Sequence, residues 1–316
     1  MLESSRREFL NRAATALFSS AFFSGSAPGQ TRKMKIALTP GSIGVTANQM
    51  EAIALAHDFG FEAVQPFAAD LDLLTDGEMQ ELLERIASRH LVWAAAGLSV
   101  DFRRDESAYL EGMKKLPAEA RALQRARVTR VGTWLMPMSN ELTYLQFFKQ
   151  TAQRLREVAG ILGDHGLRLG LEYVGTKSLW SSGRYAFVHT MAETKELIAE
   201  INKPNVGFVL DSWHWWSAED TVDDILSLKN EDIISCDLND APAGIPKAEQ
   251  RDGSRELPAA TGVIDVKAFL GALVKLGYDG PVRAEPFNKA LNDMSNDEAC
   301  SVTIEAMQKA FALVGG

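Results

Sequence analysis

Residues 168–173 read Arg-Leu-Gly-Leu-Glu-Tyr, residues 190–202 read Thr-Met-Ala-Glu-Thr-Lys-Glu-Leu-Ile-Ala-Glu-Ile-Asn, and residues 206–211 read Val-Gly-Phe-Val-Leu-Asp. The outer two are short apolar runs and the middle one carries apolar residues at helical spacing. The three read as strand, helix and parallel strand. Outward from this unit the alternation repeats. Strands are expected at 35–38, 63–66, 92–98, 130–135, 168–173, 206–211, 233–238 and 282–286. Helices are expected at 47–59, 76–90, 106–125, 142–165, 190–202, 265–276 and 296–313. Gly60, Gly166 and Gly277 fall where a helix C-terminus needs positive φ. Eight such units in about 280 residues is the size of a closed (β/α)8 TIM barrel. A doubly wound open sheet is the alternative, but no glycine-rich phosphate loop follows any strand.

The 316 residues are 46% hydrophobic, enough for a sizeable core. Against 33 Lys and Arg stand 42 Asp and Glu, a net charge of -9. That balance argues against nucleic acid or an anionic membrane as the main partner, and a neutral or polyhydroxylated small molecule fits better. Cys236 and Cys300 are the only cysteines, so neither a disulfide framework nor a zinc knuckle carries the fold.

The first 33 residues differ from the rest. A charged segment, an apolar run from Ala13 to Phe23 and the small residues Ser24-Gly25-Ser26-Ala27 are the three parts of an export signal. The run is too short to span a bilayer. Arg6-Arg7 followed by Phe9-Leu10 resembles the twin-arginine signal. The expected organisation is a leader and linker over residues 1–33 and a barrel over 34–316, with a periplasmic or otherwise exported product. Pro28 after Ala27 leaves cleavage open.

In a barrel the chemistry is built at the C-terminal ends of the strands. Strand five ends in Glu172, strand six in Asp211, strand seven passes through Asp237, and strand eight leads into Glu285. Four carboxylates in one cleft repel one another unless a cation, protons or basic side chains compensate. A divalent metal is the simplest solution. Oxygen ligands favour Mn²⁺ or Mg²⁺ and leave Co²⁺ and Zn²⁺ admissible, with His214 as a nitrogen donor nearby. Taken singly, each acid could instead cap a helix or pair with Arg. His57, His90, His165 and His189 fall near helix ends, whereas His214 lies three residues beyond Asp211. Trp213, Trp215 and Trp216 read equally as a sugar-stacking wall or as packing; Trp213 is carried forward as a substrate contact. The irregular stretch 239–262 follows strand seven and carries Arg251 and Arg255.

These residues resemble the xylose-isomerase-like barrel superfamily over nearly all of 34–313. The resemblance rests on Leu171-Glu172, Asp211-x-x-His214, Asp237-Leu238-Asn239-Asp240, Arg255-x-Leu257-Pro258 leading to Gly262-Val263-Ile264-Asp265, and Gly277-Tyr278-Asp279-Gly280-Pro281 leading to Glu285-Pro286. It implies that Glu172, Asp211 and Glu285 ligate a metal. It also implies that His214 and either Arg251 or Arg255 contact substrate. Three departures stand out: Asp237 where strand seven usually offers His, Gln65 where strand two usually offers Glu, and Pro258-Ala259-Ala260-Thr261-Gly262 in place of Pro-Gly-x-Gly.

The expected enzyme is a metal-dependent isomerase or epimerase of a ketose or related keto-carbohydrate, working through an enediolate. Glu172 and Glu285 would be the opposed acid-base pair, and Asp211 and Asp237 would help to hold one divalent cation. A lyase or dehydratase using the same proton abstraction on a keto-sugar, inosose or 3-keto-glycoside is the alternative. A non-catalytic sugar-binding barrel is a third reading. The expected partner is a small carbohydrate, with no nucleic acid, no stable membrane insertion after export, and homo-oligomer formation left open.

Overall fold

The structure is a computed structural model that describes residues 32–315, so the expected leader lies outside the described residues. Eight parallel strands form one closed sheet: β1 (Lys35–Leu38), β2 (Ala63–Val64), β3 in two pieces (Val92–Trp93 and Ala96–Gly97), β4 (Arg130–Trp134), β5 (Arg168–Glu172), β6 (Val206–Asp211), β7 (Ile233–Leu238) and β8 (Pro281–Ala284). Each pairs with its sequence neighbours, and β1 pairs with β8. Closure comes through β3, whose first piece pairs with β2 and whose second pairs with β4. The expected single strand at 92–98 is therefore a strand that changes partner halfway.

Around the barrel lie α1 (Gln49–Asp58), α2 (Asp76–Ser88), α3 (Glu106–Arg125), α4 (Tyr144–Asp164), α5 (Met191–Ile201), a short α6 (Val222–Leu226), α7 (Val266–Leu276) and α8 (Asn296–Ala312). Local chemistry fixes their ends. Asn48 caps α1, Thr75 caps α2 and Ser295 caps α8, each in a reciprocal pair with a glutamate three residues on. Gly277 ends α7 with φ at 71°. Phe269, Leu270 and Leu273 of α7 are fully buried against the sheet, each contributing roughly 1.5–3 kcal/mol.

The barrel interior is slim near its middle. A Cβ on Gly170 would come within 2.8 Å of both Val209 on the adjoining β6 and Ile234 on β7. Ala37, Ala63 and Ala94 form a small cluster on the opposite wall. At the bottom, Arg32 pairs with Glu62 at 2.7 Å and stacks over the Phe311 ring at 5.0 Å, joining the start of the described chain to its last helix. No helix among the described residues is long and apolar enough to cross a membrane.

Candidate metal centre and substrate site

The strand register brings the acids together. Asp211 and Asp237 are direct neighbours on β6 and β7, and Asp237 is in turn opposite Arg283 on β8. Glu172 closes β5 and Glu285 follows β8 by one residue. One oxygen from each of Glu172, Asp211, Asp237 and Glu285 lies within 4.8 Å of the others; Glu172, Asp211 and His214 form a second, overlapping group.

Two guanidinium groups enter the cluster. Arg283 makes a two-pronged pair with Asp237, both contacts at 2.7 Å, and reaches Glu285 at 2.8 Å. Arg255 contacts Asp211 at 2.7 Å, Asp252 at 2.8 Å and Glu285 at 3.4 Å, with its side chain 1% exposed. Arg283 and Asp252 are not among the residues that the sequence alone singles out. A signal for Arg283 does exist: it stands two residues before Glu285, so the strand period points both to one face.

Five carboxylates thus face two guanidiniums, and negative charge remains in excess. Burial, and then the neighbouring charges of Glu285, Asp237 and Asp211, push the Glu172 carboxyl well above its usual range. Burial pushes Glu285 up to about 7 despite Arg283. Asp237 is also raised, burial outweighing Arg283. Burial pushes His214 down to about 4, leaving a neutral ring near pH 7. Among the described residues Glu172 Oε1 is buried with no hydrogen-bond partner.

His214 is oriented from behind. The Gly175 N–H donates to Nδ1 at 3.2 Å, which leaves the proton of the neutral ring on Nε2. Nε2 lies 3.2 Å from Arg255 Nη2, and Asp252 Oδ1, which accepts from that Nη2 at 2.8 Å, stands 3.6 Å from Nε2. Asp211 Oδ2 and Glu172 Oε1 lie 3.8 and 3.9 Å from the same ring nitrogen.

A second layer holds these groups. Asp211 Oδ1 accepts from the Trp213 N–H at 2.7 Å and from Asn239 Nδ2 at 3.0 Å, while Asn239 Oδ1 accepts from the Glu285 N–H at 2.9 Å. Asp240 latches the loop 239–262. Its two oxygens accept from the N–H groups of Ala241, Thr261, Gly262 and Ile264 at 2.7–2.9 Å. Ala259 there adopts φ 57°, the conformation for which a glycine stands in the Pro-Gly-x-Gly pattern.

Two expected substrate contacts are placed elsewhere. Trp213 is fully buried, donates to Thr176 Oγ1 at 2.8 Å and lies under Arg255 at 5.3 Å. It supports the arginine and offers no face to a ligand, because the strand-end turn folds it inward. Arg251 is exposed and lines neither cavity at the carboxylates, so of the two loop arginines Arg255 is the one at the site. The other four histidines stay outside the cluster.

Two cavities meet at Glu172 and Glu285. A polar chamber of about 210 Å³ inside the barrel is lined by Gln65, Arg103, Ser235 and Arg283. A vestibule of about 420 Å³ above it has Glu172, His214, Asp252, Arg255 and Glu285 on its floor. Trp134, paired in register with Glu172, lines both cavities. Phe287 lines the vestibule with φ 42°, a backbone strain of order 1–3 kcal/mol for a bulky residue.

The fold and the acid-lined mouth define a TIM-barrel enzyme of the sugar isomerase and epimerase class. The chain belongs to the xylose isomerase-like TIM barrel family, whose pattern matches residues 53–309. A solved xylose isomerase domain protein from Alicyclobacillus acidocaldarius shares 30% identity and superposes with a TM-score of 0.77, covering 90% of this chain and all of that one. An inosose isomerase from Bacillus velezensis is 21% identical across 87% of this chain and 96% of its own length. A 3-dehydroshikimate dehydratase from Pseudomonas aeruginosa is 29% identical across 78% of this chain, which corresponds to 36% of that protein.

Proposed function

We propose that the chain is a metal-dependent isomerase or epimerase of a ketose or related keto-carbohydrate. The observation that carries this reading is the buried, unpartnered Glu172 Oε1 beside three further carboxylates. A buried acceptor left unsatisfied is costly, and a carboxylate cluster with surplus charge suits a cation. Glu172, Asp211, Asp237 and Glu285 would hold it, and four oxygens favour Mn²⁺ or Mg²⁺. A cation there would supply the Lewis acid that polarises a carbonyl next to a carbinol carbon.

The chain's own groups do the rest. Glu172 and Glu285, with oxygens within 4.8 Å of each other, remove the carbinol proton and return it. His214 and Arg255, bridged by Asp252, border the vestibule and would contact a substrate oxygen there. The dehydratase relative, more identical than the inosose isomerase, supports elimination after the same proton abstraction as a second reading. Arg6-Arg7 with Phe9-Leu10 supports export by the twin-arginine route.

The test is incubation of metal-loaded protein with free ketoses, inososes and 3-keto-glycosides in D₂O. At least one should gain deuterium beside its carbonyl, and chelation should stop it. Deuterium with an epimer or isomer marks the first reading, deuterium with an enone the second. Metal binding with no wash-in to any candidate overturns both.

A further inference from the structure

The floor and walls of the vestibule differ in kind. Its floor is charged, whereas its walls are Trp134, Met136, Met138, Val174, Leu179 and Phe287. Trp134 is 40% and Phe287 41% exposed. Both rings are fixed: Arg103 lies over Trp134 at 4.4 Å, and Arg255 over Phe287 at 4.7 Å. The peptide entering Phe287, a residue at φ 42°, is anchored by the Arg255 N–H, which donates to the Pro286 carbonyl at 3.1 Å. An unsubstituted ketose, hydroxylated on every carbon, has little to gain from six apolar side chains. A dry cavity of about 150 Å³ suffices to hold benzene, and this one is about 420 Å³.

We propose that the site takes a carbohydrate bearing an aryl or similar planar apolar substituent, its sugar ring at the carboxylates and its substituent between Trp134 and Phe287. This rests on the carbohydrate reading above and deepens it. The two methionines give that wall an adaptable surface, so the substituent need not have one fixed shape.

The test is calorimetric binding of methyl and phenyl β-D-glucopyranoside, unreactive analogues, to the metal-loaded full chain. The phenyl glycoside should bind at least tenfold more tightly. Phe287→Ala and Leu179→Ala should each cut the ratio of the two affinities at least threefold; Leu179→Ala stands alone if the Phe287 variant does not fold. Equal affinity for the two glycosides, or a preference that both variants retain, overturns the aryl inference and leaves the isomerase reading standing. Binding of neither glycoside by protein that does bind metal overturns the aryl inference alone, because neither probe carries the carbonyl on which the isomerase reading rests and deuterium wash-in decides that reading.

Discussion

Glu172 and Glu285 differ in what surrounds them. Glu285 is held by Arg283, by Arg255 and through its backbone by Asn239, whereas Glu172 has an oxygen with no partner. Glu172→Gln and Glu285→Gln keep a ligating oxygen and lose the base, so turnover should fall by roughly 10² to 10⁴ while metal remains bound. Parent rates in both would refute the pair. The raised Glu285 carboxyl also sets a pH dependence. Its folded value of about 7 stands above the ordinary value of 4.5, so its contribution to stability is full below pH 4.5 and is lost as pH rises through 7. Melting of metal-free protein from pH 5 to pH 8 should show this loss together with those of Glu172 and Asp237, whose carboxyls are raised too; Glu285→Gln should lessen the slope, and saturating divalent cation should offset it, because the cation binds the ionised form. A steeper slope in the variant would contradict the assignment. The acids are legible in the sequence because each lies at a strand end or within one residue of it. The strand period marks Arg283 only as sharing a face with Glu285; its pairing with Asp237 depends on the register between β7 and β8, which the sequence does not carry.

Among elements, β1, β6, β7 and α3 have the bounds that the apolar runs and caps predict. β2 stops at Val64, two residues before the expected end, where Pro66 has no N–H to give the ladder. The division of β3 leaves no trace in hydrophobic period, since both pieces are extended and only their partners differ. The 239–262 loop departs from its family pattern at Ala259, yet the four bonds to Asp240 hold it in place. Ala259 at φ 57° carries the left-handed penalty for a side chain. Ala259→Gly should raise stability by about 0.5–1 kcal/mol, the relieved strain exceeding the added freedom of the unfolded chain. A drop in melting temperature would show that the Ala259 methyl packs usefully.

For the molecule as a whole, the leader prediction is separable from the barrel. A reporter fused behind residues 1–33 should reach the periplasm by the twin-arginine route, and changing Arg6 and Arg7 to Lys should retain it in the cytoplasm. Export of the double variant at the parent level would sink that reading. The contact of Arg32 with Glu62 and Phe311 bears on how the protein can be held. It fixes the entry of the chain at the base of the barrel, opposite the carboxylates at the strand C-terminal ends. A linker to a solid support joined directly to Arg32 would therefore start behind the catalytic face. A protein immobilised that way would keep its mouth turned to the solution and its diffusing substrates.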